Sequence, residues 1–300
     1  MQKINAEVSA QPVTSPLHQV VRLPGLKWLL VLIPLGYVVF LLYYSMGSVL
    51  KLSVYDKSGF TLQYVQEVVT DTLYLKVLWN TLKTSFVVTV CTLMLAYPTA
   101  YLLVVIESAT WKRMIMAAVM ITLWISLLVR TFTWTVILQE HGIINTMLLQ
   151  LGLINEPIKL LYNSIGVTIG MTHILFPYMV LSLYSVMERI DRRLIQAAEG
   201  MGARPWQAFL QITLPLSLPG VLSGSLIVFV LALGYFITPA LLGGQDSMMI
   251  SKLIQENIQM TLNWNMASAL SLVLLVTTLL LLALSYWVSR LSPMMKGADR

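Results

Sequence analysis

The sequence predicts an all-α integral membrane protein with six transmembrane helices and both termini cytoplasmic, and three observations carry that expectation. Of the 300 residues, 57% are hydrophobic and only 11% charged, a balance far outside that of a soluble domain. The apolar residues gather into six runs, each long enough for a hydrocarbon core that needs roughly 20 residues of helix. Lysine and arginine divide unevenly among the connections, as basic residues do on the cytoplasmic side of a membrane.

Residues 1–26 are polar, interrupted by Pro12, Pro16 and Pro24, and show no apolar period; they read as a cytoplasmic N-terminal tail. The first span, about 28–50, carries no charge, and its length makes it an uncleaved signal anchor rather than a cleaved leader. From Lys51 to Lys83 the chain is mixed, with Asp56, Lys57, Ser58 and Gly59 as a turn and an amphipathic piece through Val65, Val68 and Leu73. The second span, about 84–106, contains Pro98, which removes a helical donor and favours a kink. Glu107, Lys112 and Arg113 form a short inner loop before the third span, about 114–138. On the outer side, Gly142 to Leu151 places Ile143, Ile144, Met147, Leu148 and Leu151 on one face, a helix too short to cross and suited to the interface. The fourth span, about 160–187, has a second kink site at Pro177, the fifth runs about 216–242, and the sixth about 264–288. The membrane-spanning body thus covers 27–290, and 291–300 is a cytoplasmic C-terminal tail.

Twelve basic residues fall inside on this topology (Lys3, Arg22, Lys27, Lys112, Arg113, Arg189, Arg192, Arg193, Arg204, Arg290, Lys296 and Arg300) and six outside, while the acids divide six to seven. Such a bias concerns basic residues alone. The net charge of +6 therefore marks cytoplasmic loops and not nucleic-acid binding. Cys91 is the single cysteine, which leaves no disulfide within the chain and no cysteine metal site.

The longest polar interruption with the character of folded structure is 191–215. Asp191 suits an N-cap, Arg192 to Met201 a short helix, and Gly202 the left-handed residue that ends it. Pro205 suits the first turn of a second helix that reaches about Leu214, with Pro215 closing it. Ala197 and Ala198 put little bulk on one face, so that another protein's surface can come close. Ala197-Ala198-x-x-x-Gly202-Ala203, followed by Phe209, Ile212 and Leu214-Pro215, resembles the EAA loop of ABC-transporter inner-membrane permeases of the binding-protein-dependent importer class. The resemblance implies a cytoplasmic loop that docks in a cleft of an ATPase subunit. Gln196, Ala197, Ala198, Glu199, Gly202 and Ala203 would then shape the docking elbow, and Phe209, Leu214 and Pro215 would fix it to the spans. Where the family usually has Glu, this chain has Gln196, which replaces a charged contact by a neutral hydrogen bond.

No catalytic set assembles, and no metal or cofactor site is expected. His18, His141 and His173 are scattered, none with a second ligand at metal spacing. A P-loop is missing, so the chain is expected to be no enzyme, with ATP hydrolysed by partner subunits. Gly166-x-x-x-Gly170 and Gly220-x-x-x-Gly224 allow close helix approach, equally within this chain or against a second permease. Arg130 is the one charge placed near membrane depth; such a charge faces protein or a wet cavity, or snorkels outward. Trp134 shares its helical face, Glu140 is a nearby acid, and Tyr235, Phe236 and Thr238 precede Pro239 in an aromatic and polar cluster. These six residues are the candidate substrate path, with an interfacial aromatic belt as the alternative reading of the cluster.

Tyr97-Pro98-x-Ala100-Tyr101, Arg130-Thr131-x-x-Trp134, Gly142-Ile143-Ile144-Asn145 and Thr238-Pro239-Ala240-Leu241-Leu242-Gly243-Gly244 are similar to spermidine/putrescine-type permeases over most of 27–290. This likeness implies a MetI-like permease core with one extra N-terminal helix, in the lipid of a bacterial inner membrane. Its implied partners are a second homologous permease subunit, two ABC ATPase subunits and a periplasmic or lipid-anchored substrate-binding protein. Polyamines are cations, yet no span of this chain contains an acid, which keeps an amino-acid-like, opine or phosphonate solute as the alternative. An ion-gradient-driven secondary transporter would need acids or a proton relay within the spans.

Overall fold

A computed structural model describes residues 24–56 and 59–291. The N-terminal tail before residue 24, Lys57 and Ser58 of the expected turn, and the tail from 292 lie outside the described residues. The chain divides into two units, one ending at Ser48 and one beginning at Val49. The first contains most of α1 (Pro24–Val54), from Leu30 to Val54 an apolar helix long enough to cross a membrane.

Among the described residues of the second unit the regular elements are helices and one short hairpin, β1 (Tyr55–Asp56) paired antiparallel with β2 (Gly59–Phe60). Then come α2 (Gln63–Thr70), α3 (Thr72–Val105), α4 (Ala109–Trp124), α5 (Leu127–Ile137), α6 (Ile143–Gln150) and α7 (Ser164–Met187). They are followed by α8 (Arg192–Gly200), α9 (Pro205–Ala208), α10 (Leu214–Gly234), α11 (Ile237–Leu242), α12 (Ile250–Gln259) and α13 (Trp264–Leu291).

Among the described residues five helices are long and apolar enough to cross a membrane, and a sixth crossing is met if α4 and α5 count together. The third span is therefore not the single helix expected over 114–138. It breaks between Trp124 and Leu127 and turns through 100°. Ile125 and Ser126 are extended, which interrupts the i→i−4 ladder until the Arg130 amide donates to the Ser126 carbonyl at 3.1 Å. No proline or glycine marks the break. The fifth span also ends early: α10 stops at Gly234, Tyr235 is extended, and α11 is a separate short helix. By contrast α3 continues through Pro98 and α7 through Pro177.

Helix α7 is the axis of the core. Met171, Ile174, Leu175, Met179, Val180 and Leu183 are fully buried between α3 on one side and α10 on the other. Glycine sets the second of these approaches. A Cβ on Gly220 would lie 3.0 Å from Val186 Cβ, and one on Gly224 would lie 2.7 Å from Met179 Sδ. Gly170 plays the same part toward α11, where a Cβ would meet Thr238 Cγ2 at 3.0 Å and Leu242 Cδ2 at 3.1 Å. Both small-residue pairs are thus spent inside this subunit, which decides between the two readings left open. Three hydroxyls of α3 enter the core satisfied: Thr81, Thr89 and Thr92 each donate to the carbonyl four residues back at 2.6–2.8 Å, whereas the buried Ser85 Oγ has no partner.

A second core joins α2, α3, α12 and α13 through Val68, Val77, Ile250, Met266 and Leu270. Helix α12, which the polar stretch before Trp264 conceals, is held by the Ile250 amide donating to Thr81 Oγ1 at 2.8 Å and Ser251 Oγ donating to the Tyr235 carbonyl at 2.6 Å. The expected interfacial helix is α6. Within it Asn145 is fully buried and organises the loop, its amide donating to the carbonyls of Gln139 and Ile158 and its Oδ1 accepting from the Ile158 amide.

Candidate functional site

Two regions hold the elbow residues and part of the candidate path. The first is the elbow at 191–215. Asp191 Oδ1 accepts from the Arg193 amide at 2.9 Å and starts α8, which satisfies a donor that the first helical turn leaves open. At the other end the Gly202 amide donates to the Glu199 carbonyl (2.9 Å) and the Ala203 amide to the Ala198 carbonyl (3.0 Å), the paired bonds of a Schellman stop. That stop needs a left-handed residue, and Gly202 supplies it at φ 92°. Pro205 opens α9, and Gln207 Oε1 accepts from the Arg204 amide at 2.8 Å.

The second helix does not end at Pro215. Residues Phe209–Thr213 form a π turn that passes directly into α10, so 205–234 is one continuous helical stretch. Proline tolerates a helix where its missing N–H costs no bond, and the wider turn just before Pro215 provides that place. The same turn aims Phe209 at α3. Its ring meets Tyr97 and Tyr101 edge-on at 6.0 and 5.1 Å, while Tyr97 Oη lies 2.9 Å from Ser217 Oγ. Leu214 and Pro215 are half-buried, whereas Gln196, Ala197, Glu199 and Gly202 are exposed and Ala198 and Ala203 partly so. No residue of α8 is buried. Leu194, Met201, Trp206 and Leu210 stay exposed, Met201 by 84% and Trp206 by 57%.

The second region is a cavity of about 550 Å³ between α3, α5 and α7. It is lined by Cys91, Leu95 and Thr99, by Trp134, and by Thr168, Ile169, Thr172, His173 and Phe176. Trp134 Nε1 donates to His173 Nδ1 at 3.2 Å, the rings edge-on at 5.6 Å. An indole N–H only donates, so Nδ1 is an acceptor and a neutral His173 carries its proton on Nε2. Thr172 Oγ1 has no hydrogen-bond partner. No acid lines this cavity.

The six residues of the expected path do not share one site. Trp134 lines the cavity. Arg130 stands beside it, near enough to His173 and Tyr235 to act on both electrostatically, with Nε and Nη1 buried and unpartnered. Glu140 lines a separate pocket of about 330 Å³ with Gln139, His141, Lys159, Leu161 and Tyr162. Tyr235 packs on the core, Phe236 is exposed, and Thr238 is fully buried with its Oγ1 3.4 Å from Thr131 Oγ1. Sequence reasoning had no signal for Thr168, Thr172 and Phe176 beyond helical spacing from His173.

A family model described as binding-protein-dependent transport system inner membrane component matches residues 72–293. The spermidine/putrescine transport system permease protein PotB of Haemophilus influenzae is 35% identical over 219 residues, 73% of this chain and 76% of the relative. PotB of Escherichia coli K12 is 32% identical over 221 residues, 74% and 80% of the two chains. Among solved structures, a chain of a bacterial ABC transporter involved in the import of the acidic polysaccharide alginate superposes with a TM-score of 0.69 at 17% identity, covering 89% of this chain and 96% of that one. A chain of the MetNI methionine ABC transporter gives 0.58 at 19% identity, covering 73% and 95%. The chain belongs to the binding-protein-dependent transport system inner membrane components, and it is a multi-pass permease subunit of an ABC importer.

Proposed function

We propose that this subunit forms half of a translocation path for a polyamine-type solute in a bacterial inner membrane, both termini cytoplasmic. Two partner ATPase subunits supply the energy, a second homologous permease completes the path, and a periplasmic or lipid-anchored binding protein delivers the solute. The elbow carries this reading. Helix α8 buries nothing, and Leu194, Met201 and Trp206 leave a large apolar surface in water that a partner's cleft would cover. Behind it, Phe209 is wedged between Tyr97 and Tyr101, so force on α8 is delivered to α3 and α10. ATP-driven closure of the ATPase pair would then switch the cavity between inward- and outward-facing states.

Polyamine transport is supported by the names of the relatives and by the cavity. The faces of Trp134 and Phe176 can hold an ammonium group through their quadrupoles, and a neutral His173 adds no positive charge. The substitution Gly202→Asp tests the elbow: insertion should persist while ATPase co-purification and uptake are lost, and normal uptake would refute the assignment.

Arg130 favours a second reading. Its Nε and Nη1 have no acceptor, and a buried guanidinium without one is costly; the carboxylate or phosphonate of an amino-acid-like, opine or phosphonate solute would supply it. Uptake of labelled spermidine and putrescine by the reconstituted importer, with such anions as competitors, separates the readings. Competition by an anion and no polyamine uptake would select the second.

A further inference from the structure

We propose that Lys112, Glu188 and Arg192 are positioning residues that fasten the elbow to α4 and α3, so that displacement of α8 moves those helices together with α7. This rests on the reading of α8 as the ATPase-facing element. Glu188 caps the C-terminus of α7, four residues before α8 begins. Its Oε1 accepts from Lys112 Nζ of α4 at 2.9 Å and from the Tyr184 hydroxyl one turn back. The same ammonium lies 5.2 Å from the centre of the Tyr184 ring, so three groups from two helices close on one another. Arg192, the first residue of α8, donates from Nη2 to the Val104 carbonyl at 2.5 Å. That carbonyl lies in the last turn of α3, where helical carbonyls have no donor of their own. Among the described residues, Arg192 is the only α8 side chain with a hydrogen bond outside its own helix.

These contacts do little for stability. The Lys112 and Glu188 side chains are 33% and 51% exposed, and ion pairs that open to solvent contribute little net stabilisation. Their placement is more informative. The chain links α7 to α8 covalently, and beside the packing of α4 on the core Lys112 ties α4 to Glu188, three residues before the elbow begins. Helix α4 leads across the 100° bend into α5, which carries Trp134 into the cavity. The pair is therefore positioned to relay motion from the elbow to the cavity wall.

The test uses the complete importer, reconstituted in liposomes with its binding protein, and reads solute moved per ATP hydrolysed. In Lys112→Met and Glu188→Ala that ratio should fall by about five-fold or more, the lower end of usual coupling energies, with the ATPase subunits still co-purifying. The exchange Lys112→Glu with Glu188→Lys should restore most of it, and Arg192→Lys should retain more than Arg192→Ala. An unchanged ratio in the single variants overturns the proposal, as does a parallel fall of uptake and ATPase activity that the exchange fails to repair. Failure of the underlying docking reading shows elsewhere, as a Gly202→Asp protein that still binds its ATPase.

Discussion

Gly224 sits where a Cβ would come within 2.7 Å of Met179 Sδ and 3.1 Å of Ser182 Cβ. Gly224→Val should therefore cost about 1–3 kcal/mol through overpacking, seen as a lower melting temperature in detergent. Gly36→Ala, with nothing within 4 Å, should leave that temperature level or slightly raised. Trp134 has a more specific part. Trp134→Phe keeps a ring but removes the donor to His173 Nδ1. One net hydrogen bond of about 1 kcal/mol corresponds to roughly five-fold in the apparent KM for uptake, with assembly of the complex unaffected. Glu188 adds a pH dependence. The Tyr184 hydroxyl and then the Lys112 ammonium hold its carboxyl below the ordinary range. A depressed carboxyl stabilises the fold above its unfolded value of about 4.3, and that contribution is lost as pH falls through the folded value. Because the group is largely in solvent the effect is small: melting temperature should fall slightly less steeply below about pH 4.3 in Glu188→Gln than in the parent.

At the level of the helices, the stops of the elbow are local and its anchor is not. Asp191 and Gly202 define α8 by backbone chemistry within a few residues. Phe209 reaches α3 only because the π turn re-aims it. Phe209→Ala should thus leave α8 formed and the ATPase bound but weaken transmission, measured as a fall in uptake that exceeds the fall in ATPase activity; loss of a partly buried aromatic in a T-shaped pair costs about 1–3 kcal/mol. The first of these features is plain in the residue order, whereas Pro215 reads as a terminator because proline usually is one. Here a wider turn just upstream absorbs its missing donor, and nothing in Phe209–Thr213 announces that turn. The break at Ile125–Ser126 is equally silent. Both residues suit a continuous helix, and the packing of α5 on α7 and α11, including Thr131 against Thr238, sets the new direction.

Over the entire chain, the basic-residue bias and the elbow lead to the same orientation by separate routes. In a Cys91→Ser background, a cysteine at 202 should react with an impermeant maleimide only after the inner face is opened, and one at 141 from the outer face directly; labelling of 202 from outside would sink the orientation. The candidate path shows the limit of one-dimensional reading. Arg130, Trp134, Glu140, Tyr235, Phe236 and Thr238 read as one path from their charged, polar and aromatic character in and beside two spans, yet the bend of 100° and the end of α10 at Gly234 distribute them over a cavity wall, a separate pocket, the core and the surface. His173, Thr172 and Phe176 join Trp134 instead, from a helix some forty residues away in the chain. Membrane residence, the number of apolar runs and the helix–glycine–helix elbow follow from residue order, because transfer free energy, caps and φ preferences act over one helix or less. Which faces of α3, α5 and α7 enclose a cavity, which glycines are spent on internal packing and where a span breaks were decided by tertiary packing, because close-packed helices settle their contacts jointly and no single segment contains that information.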